Sequence, residues 1–289
     1  MRYFGAQLVG YTCLDVTKSL RVCLDDSSGY LVEEYVDKAT SDVKERRILA
    51  RTIPFYAFRN YCRRCAHPLP RGWSECRAHD EELEILDATL AAGLYYTHKV
   101  KDLLDLHSNI LTSYILELKQ SRSKAPLLAA SMALIVKTKV YGIGVSDIDV
   151  VTFVPKHESE LKVDADDGER YNQAELLARY VARYLDISFV NVIDKVRPLS
   201  LRRVQSIRER YDWSSQVYVV REGKEHFIRG KRVLLVDDVR TSGATGNTIA
   251  RLLKQAGAAK VYLLVAGRAT HYDTLKEIID EYGGNPEIA

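Results

Sequence analysis

The chain of 289 residues lacks a dominant charge: 42 Lys and Arg stand against 39 Asp and Glu, a formal net charge of +3. So small a surplus is no argument for nucleic acid by itself, because that binding rests on many cationic contacts with phosphate. A long apolar run is missing too. The longest, roughly 125–136, is interrupted by Pro126 and Ser131 and falls short of the ~18–20 residues a spanning helix needs. Gln7 and Asp15 bracket any apolar stretch near the N-terminus, which makes a poor signal peptide, so a cytoplasmic protein is expected. Internal repeats and low-complexity segments are absent, which sets aside solenoids and disordered arrays. Cysteine is scarce. Of five, three are clustered, a pattern closer to an intracellular metal site than to a disulfide framework. Cys13 and Cys23 lie apart from the cluster and are expected to pack as small apolar residues. The rest is ordinary for a globular chain of about two domains, with 46% hydrophobic and 28% charged residues.

Residues 1–60 show short β-like runs at Leu8–Asp15 and Leu20–Val36, with a turn signal at Asp25-Asp26-Ser27-Ser28-Gly29. A charged stretch from Ser41 to Arg51 is expected to be helical. From about Leu83 to Lys139 apolar residues recur at spacings of three and four, so the region reads as mostly helical, although Ala91–Thr97 fits a strand equally well. Beyond Val145, a buried strand at Ile148–Val154 ends at Pro155 and an acidic loop spans Glu158–Glu169. A helix over Asn172–Leu185, a strand at Phe189–Ile193 and a basic segment over Lys195–Tyr211 follow. Gln216–Val220 and His226–Arg229 are expected to pair as a hairpin, and Val261–Ala266 to form a last strand. Strands alternating with helices imply right-handed crossovers and a parallel sheet.

Cys62-x2-Cys65 precedes ten residues containing Pro68, Pro70 and Gly72, and then Cys76-x2-His79. Two such pairs can each grip one tetrahedral ion from a tight turn, so Cys62, Cys65, Cys76 and His79 are expected to hold structural Zn²⁺, with His67 as the alternative fourth ligand. No position is left open for catalysis.

The most informative stretch is Val233–Thr245, VLLVDDVRTSGAT. Four apolar residues run into Asp237 and Asp238. Val239, Arg240 and the small-residue segment Thr241-Ser242-Gly243-Ala244-Thr245 follow, and Ile249, Leu252 and Leu253 then recur at helical spacing. This reads as a buried strand, a loop, and a helix entered through the loop. Such a loop offers backbone N–H groups and three hydroxyls to a phosphate, and the helix N-terminus adds partial positive charge. Two carboxylates cannot bind phosphate. They suit donors such as vicinal sugar hydroxyls, or a metal ion beside them. A phosphate cradle next to a diol grip describes a 5-phosphoribosyl group. The plainer alternative is an acid pair in some other α/β crevice, since ligands bind beyond strand C-termini in such sheets.

These residues resemble the phosphoribosyl-pyrophosphate (PRPP) motif of type I phosphoribosyltransferases, with Ser242 where a second Thr is common. The order of the whole chain is similar to that of the competence protein F (ComF) family, in which a zinc module precedes such a domain. The Cys pairs come first, then a helical stretch ending Leu118-Lys119 and a strand closing Val154-Pro155. Tyr171-Asn172-Gln173-Ala174 with Leu176-Leu177-Ala178 follows, and a basic segment holding Gln205 and Arg210 precedes the motif. The chain departs from the family at Glu169-Arg170, where Arg-Gly is usual, in its acidic loop with Asp164, Asp166 and Asp167, and at His79 in place of Cys. The resemblance spans about 62–268.

It implies an α/β fold: a twisted, mostly parallel type I phosphoribosyltransferase-like sheet with helices on both faces, plus an N-terminal zinc-ribbon and helical region. The chain then divides into a β-rich region of unknown role (1–60), a zinc module (61–82), a helical hood (83–144) and the transferase domain (145–289). Asp237 and Asp238 would be the catalytic pair, holding the ribose hydroxyls near Mg²⁺. Thr241, Ser242, Gly243, Ala244 and Thr245 would hold the 5′-phosphate, and Lys156 and His157 the pyrophosphate. A flexible loop carrying Arg202, Arg203, Arg208 and Arg210 would close over PRPP. The implied reaction is attack of a nitrogen acceptor, such as a nucleobase, on C1 of PRPP with loss of pyrophosphate; no general base is singled out. Two other functions stay open: a PRPP-binding regulator without turnover, and a ComF-like accessory protein handling single-stranded DNA. A homodimer is not excluded, and no membrane partner is expected.

Overall fold

The computed structural model describes residues 10–37, 39–40, 42–55, 60–70, 72–73, 76, 79, 83–96, 110–198, 216–270, 273, 275–277 and 280. Arg202, Arg203, Arg208 and Arg210 lie outside the described residues.

Four strands, β1 (Tyr11–Asp15), β2 (Leu20–Asp25), β3 (Tyr30–Val36) and β4 (Val43–Arg51), form an antiparallel meander in that order. The β2–β3 turn is closed by Asp25, whose Oδ1 accepts the N–H groups of Ser27 and Ser28 at 2.8 and 3.1 Å, a local bond that Asp favours in turns. The segment expected to be helical over 41–51 is instead β4. Its charges are matched across the ladder, with Arg47 opposite Glu33 and Arg46 opposite Glu34. Arg46 reaches the buried Glu34 carboxylate at 2.7 Å. Opposite charges facing across strands stabilise a sheet without any apolar alternation. Cys13 and Cys23 also differ from expectation: they stand opposite each other in the β1–β2 register and form a disulfide.

The second sheet is parallel throughout. Its order is β5 (Ala88–Tyr95), β12 (Lys260–Ala269), β11 (Arg232–Arg240) and β6 (Val150–Phe153). Helices α1 (Ile110–Glu117), α2 (Ala125–Lys137), α3 (Gln173–Leu185) and α4 (Ala244–Gln255) flank it. α2 is apolar on nearly every side because it packs on β1 and β2 as well as on β5 and β12; a helix without a polar face belongs inside. α3 starts where the sequence places it, with Asn172 accepting the Ala174 N–H at 3.0 Å.

β5 corrects the reading of 83–144 as a helical hood. Its run ATLAAGLY is apolar throughout, so periodicity alone cannot separate strand from buried helix. The parallel sheet therefore draws a strand from each side of residue 145. At Gly93 an added Cβ would lie 2.8 Å from Ala50 Cβ and 2.9 Å from Leu111 Cδ2, so β4 and α1 press on β5 at backbone distance. One hydrophobic core runs from Val22 and Leu31 of the meander through Leu90 and Leu134 to Val236 and Leu264.

Two short ladders complete the fold. β7 (Lys162–Val163) pairs with β8 (Arg170–Tyr171), and β9 (Ile193–Lys195) with β10 (Tyr218–Val220). The expected hairpin of 216–220 with 226–229 is not formed, since β9 takes β10 as its partner and Glu225–Phe227 is a single 3-10 turn. Phe189, expected to begin a strand, makes only a bridge to Val151. The acidic loop is gathered by one cation: Arg122 bonds Asp164 at 2.9 Å, Glu169 at 2.8 Å, and Asp167. Among the described residues no helix is long and apolar enough to cross a membrane.

Candidate functional site

Because the four strands of the parallel sheet run the same way, their C-terminal ends share one edge. Tyr95, Arg268, the acids of β11 and Lys156 all lie along it. Ligands in open α/β sheets bind beyond such an edge. A cavity of about 370 Å³ opens there, lined by Asp237, Val239, Arg240, the whole Thr241–Thr245 loop, Gly246 and Leu263. The strand, loop and helix read from the sequence are present: β11 ends at Arg240, Gly243 stands at the N-cap of α4, and the helix follows.

The loop is shaped by three side chains that the sequence reading passed over. Arg240, fully buried, donates from Nη2 to Glu84 at 2.6 Å and from Nη1 to Thr89 Oγ1 at 2.6 Å. Its guanidinium lies under Gly243, where a Cβ would sit 2.5 Å from Nη2, and Gly243 itself takes φ +82°. Asn247, on the first turn of α4, donates to the Gly243 carbonyl at 3.1 Å. Its Oδ1 accepts the N–H groups of Ile85 and Leu86 at 2.7 and 2.9 Å, tying the loop to the segment entering β5. Asn247 could have been found from its place four residues past Gly243, where a side chain reaches back to a helix start. Glu84 carries no local signal.

The acids face a charged neighbourhood. Burial, and then the charge of Asp238 beside it, push the Asp237 carboxyl well above the ordinary carboxylate range. The Asp238 N–H donates to Asp237 Oδ1 at 2.9 Å. Lys156, at the end of the neighbouring β6, is held close enough to feel both carboxylates. Burial nevertheless drives its ammonium below the usual lysine range, and its Nζ bonds Gln173 Oε1. His157 is turned elsewhere, its Nδ1 sharing a 2.8 Å hydrogen bond with Ser159 Oγ. Tyr218 of β10, which no motif pointed to, sits against Asp237 and Thr245; burial first and the Asp237 charge second raise its hydroxyl. Tyr95, at the end of β5, has its hydroxyl raised by burial and then by the charge of Asp238.

Eleven residues past the end of β4 the chain reaches the cysteine cluster, whose ligand atoms from Cys62, Cys65, Cys76 and His79 all lie within 4.8 Å of one another. Cys65 Sγ is 3.5 Å from Cys76 Sγ, and Cys62 Sγ is 4.0 Å from His79 Nδ1. Tetrahedral zinc with bonds near 2.3 Å would separate its sulfurs by ~3.8 Å, so the spacing fits that ion. Hydrogen bonds from Cys62 and Cys76 hold the Cys65 thiol far below its ordinary value, which favours the thiolate a metal needs. Burial opposes charge on His79, but hydrogen bonds to Cys62 and Cys65 outweigh it and push the imidazole up to about 10. His67 is not the fourth member; its Nδ1 pairs with the Pro68 carbonyl at 2.7 Å.

Residues 172–282 match the phosphoribosyl transferase domain family. The match begins at Asn172, the cap of α3, and so takes in β11, the loop and α4 but not Lys156. Over 100 residues the chain is 34% identical to competence protein F of Haemophilus influenzae, covering 34% of this chain and 43% of that protein. Over 129 residues it is 30% identical to the amidophosphoribosyltransferase of Saccharomyces cerevisiae, covering 44% of this chain and 21% of that enzyme. The chain thus spans less than half the length of either relative. Adenine phosphoribosyltransferase from Leishmania tarentolae is similar in structure over 57% of this chain and 78% of that one, with a TM-score of 0.33 and 15% identity.

Proposed function

Starting from a chain that carries a phosphoribosyl transferase domain over residues 172–282, we propose that it binds PRPP and transfers the 5-phosphoribosyl group to a nitrogen acceptor. The observation that carries this reading is the shared cavity: Asp237, the first acid of the pair on a parallel strand, and a hydroxyl-lined loop at a helix N-terminus open onto one space, with Asp238 donating its N–H to Asp237 beside it. Thr241, Ser242 and Thr245, with the backbone from Gly243 to Thr245, would hold the 5′-phosphate. Asp237 and Asp238 would accept from the ribose hydroxyls, and Lys156 would meet the negative charge of pyrophosphate. The acceptor nitrogen would bond to C1 as the C1–oxygen bond to pyrophosphate breaks. The protein's part is to hold the sugar in line and to stabilise the charge that develops.

Mg²⁺ fits the donor set, because Asp237 is forced upward by burial and then by its neighbour's charge, while burial disfavours the lysine beside them as a cation. Asp237 and Asp238 would hold it together with substrate oxygens, and it would neutralise the pyrophosphate as it departs. Zn²⁺ on Cys62, Cys65, Cys76 and His79 would be structural. A second reading, PRPP sensing without turnover, draws on one observation. Among the described residues lining the cavity, the only carboxylate or imidazole is Asp237, which leaves no separate base for the acceptor.

Calorimetric titration with PRPP, with and without Mg²⁺, tests the proposal. Asp238→Asn is expected to weaken Mg²⁺-dependent binding roughly 10- to 100-fold, the worth of hydrogen bonds to a charged group. Magnesium-independent binding that ignores the substitution would remove it. Pyrophosphate release over a panel of nucleobases then separates transfer from sensing.

Affinity for PRPP is also expected to be bell-shaped in pH. Asp237 must be ionised to accept from a hydroxyl or hold a cation, so binding falls as pH drops through its raised pKa. Lys156 must be protonated to meet pyrophosphate, so binding falls again as pH rises through its lowered pKa. Asp237→Asn should remove the acid limb and Lys156→Gln the alkaline one, measured by calorimetry across a pH series. Limbs that survive both substitutions would assign the profile to other groups.

A further inference from the structure

Arg268 lies one residue from the C-terminal end of β12, beside Arg240 in the parallel register, and is 1% exposed. Its guanidinium faces two places at once. Toward the cysteine cluster, Nε donates to the Cys65 carbonyl at 2.7 Å and Nη2 lies 3.9 Å from Cys65 Sγ. Toward the phosphate loop, Nη1 donates to the carbonyls of Arg240, Thr241 and Ala269 at 3.1, 2.9 and 2.5 Å. Residues far apart in sequence, 65 and 240–241, are thus tied by a single planar group.

The two arginines beneath the loop differ in their counter-ions. Arg240 has the Glu84 carboxylate at 2.6 Å. Arg268 has no carboxylate within ion-pair distance among the described residues; the anion against it is sulfur, with Cys65 nearest and Cys76 beyond. Three thiolates and a neutral imidazole around a divalent ion carry one net negative charge, which one guanidinium balances. With the metal gone, nothing holds Cys62, Cys65, Cys76 and His79 at these spacings, and the Cys65 carbonyl and sulfur that Arg268 contacts are free to shift. The Arg268 guanidinium is a rigid planar fork, so movement of Cys65 at one end is passed to the carbonyls of Arg240 and Thr241 at the other.

We propose that Arg268 is a positioning residue that couples the cysteine cluster to the Arg240–Thr245 loop, so that metal bound at the cluster sets the geometry of the loop. The idea rests on the reading of that loop as the phosphate site only for its consequence, since the coupling concerns this chain's own residues. By reciprocity, a ligand that tightens the loop also tightens metal retention, by the same factor.

Hydrogen exchange read by mass spectrometry, on the full chain without PRPP, tests the coupling. Wild-type protein is compared zinc-loaded and after removal of zinc by a chelator under reducing conditions. Amides of residues 240–245 are expected to exchange about tenfold faster once zinc is removed, a factor typical of coupled sites, while those of α3 stay unchanged. In Arg268→Lys, which keeps the charge but cannot span both partners, the loop should exchange fast whether or not zinc is present. Equal loop protection in loaded and stripped wild type would overturn the proposal, as would a full zinc response in Arg268→Lys. The wild-type comparison stands alone if the variant does not fold. Calorimetry on the same samples separates the two readings. A zinc-dependent loop in a protein that binds no PRPP would keep the coupling and end the substrate assignment. Equal PRPP affinity with and without zinc, together with an unresponsive loop, would do the reverse.

Discussion

Glu84→Ala is expected to lower stability by about 3–5 kcal/mol, the usual cost of breaking a buried pair by removing one partner. In a chain of this size that is a drop of roughly 5–8 °C in melting temperature. The reason is geometric. Both side chains of the Glu84–Arg240 pair are fully buried, and Arg240 Nη2 has Glu84 at 2.6 Å as its only carboxylate among the described residues. Removing that carboxylate leaves a guanidinium that can neither lose its proton nor reach water. A double variant, Glu84→Leu with Arg240→Met, should recover most of the stability, because no charge is then stranded. It should still bind PRPP poorly, because Gly243 would have lost the surface beneath it. Thermal melting of the three proteins checks this. A fall of less than about 2 °C in Glu84→Ala would show the guanidinium finding relief elsewhere.

Gly243→Ala should leave the fold standing and cripple the loop. The residue takes φ +82°, which costs a side chain of about 1–3 kcal/mol in strain. Its new methyl would sit 2.5 Å from Arg240 Nη2 and 2.8 Å from Cζ. Ordinarily a side-chain end would swing aside. Here it is pinned by Glu84 and Thr89, so the loop itself must move. If the binding conformation is disfavoured by about 3 kcal/mol, PRPP affinity falls roughly 100-fold. Gly223→Ala provides the control. It has φ +72° with nothing within 4 Å of an added Cβ, so it carries the same backbone strain without the clash, and away from the cavity. Melting temperature should fall in both variants and calorimetric affinity only in the first; equal affinities would deny the loop its role.

The parts of this fold that the sequence announced are those whose signals are local. β11 is a four-residue apolar run ended by acids, and α4 is entered through glycine and small residues. α3 carries its own cap in Asn172 and buries Leu177, Val181 and Leu185 at helical spacing. The cysteine cluster was legible because each pair of ligands is separated by two residues in the sequence. What stayed hidden depended on partners. Lys44, Glu45, Arg46 and Arg47 give no alternation, and only Glu33 and Glu34 on the facing strand make them part of a sheet. The run of β5 is equally apolar as helix or strand until β12 lies alongside it. Cys13 and Cys23 are ten residues apart, a spacing that says nothing of a register that sets them face to face. Within the site, the loop and acids could be read off, whereas Glu84, Arg268 and Tyr218 matter through contacts from distant segments.

The order of elements read from the sequence invites a cut near residue 145, ahead of the domain match that begins at residue 172. Such a cut would pass through a hydrogen-bonded sheet and not between two. A fragment starting there would lose β5, and β12 would present a bare row of N–H and C=O groups along a strand that is buried over nearly its whole length. Exposed apolar strand flanks of this kind recruit other chains. The N-terminal half accordingly supplies an integral strand of the sheet that carries the phosphoribosyl transferase domain match.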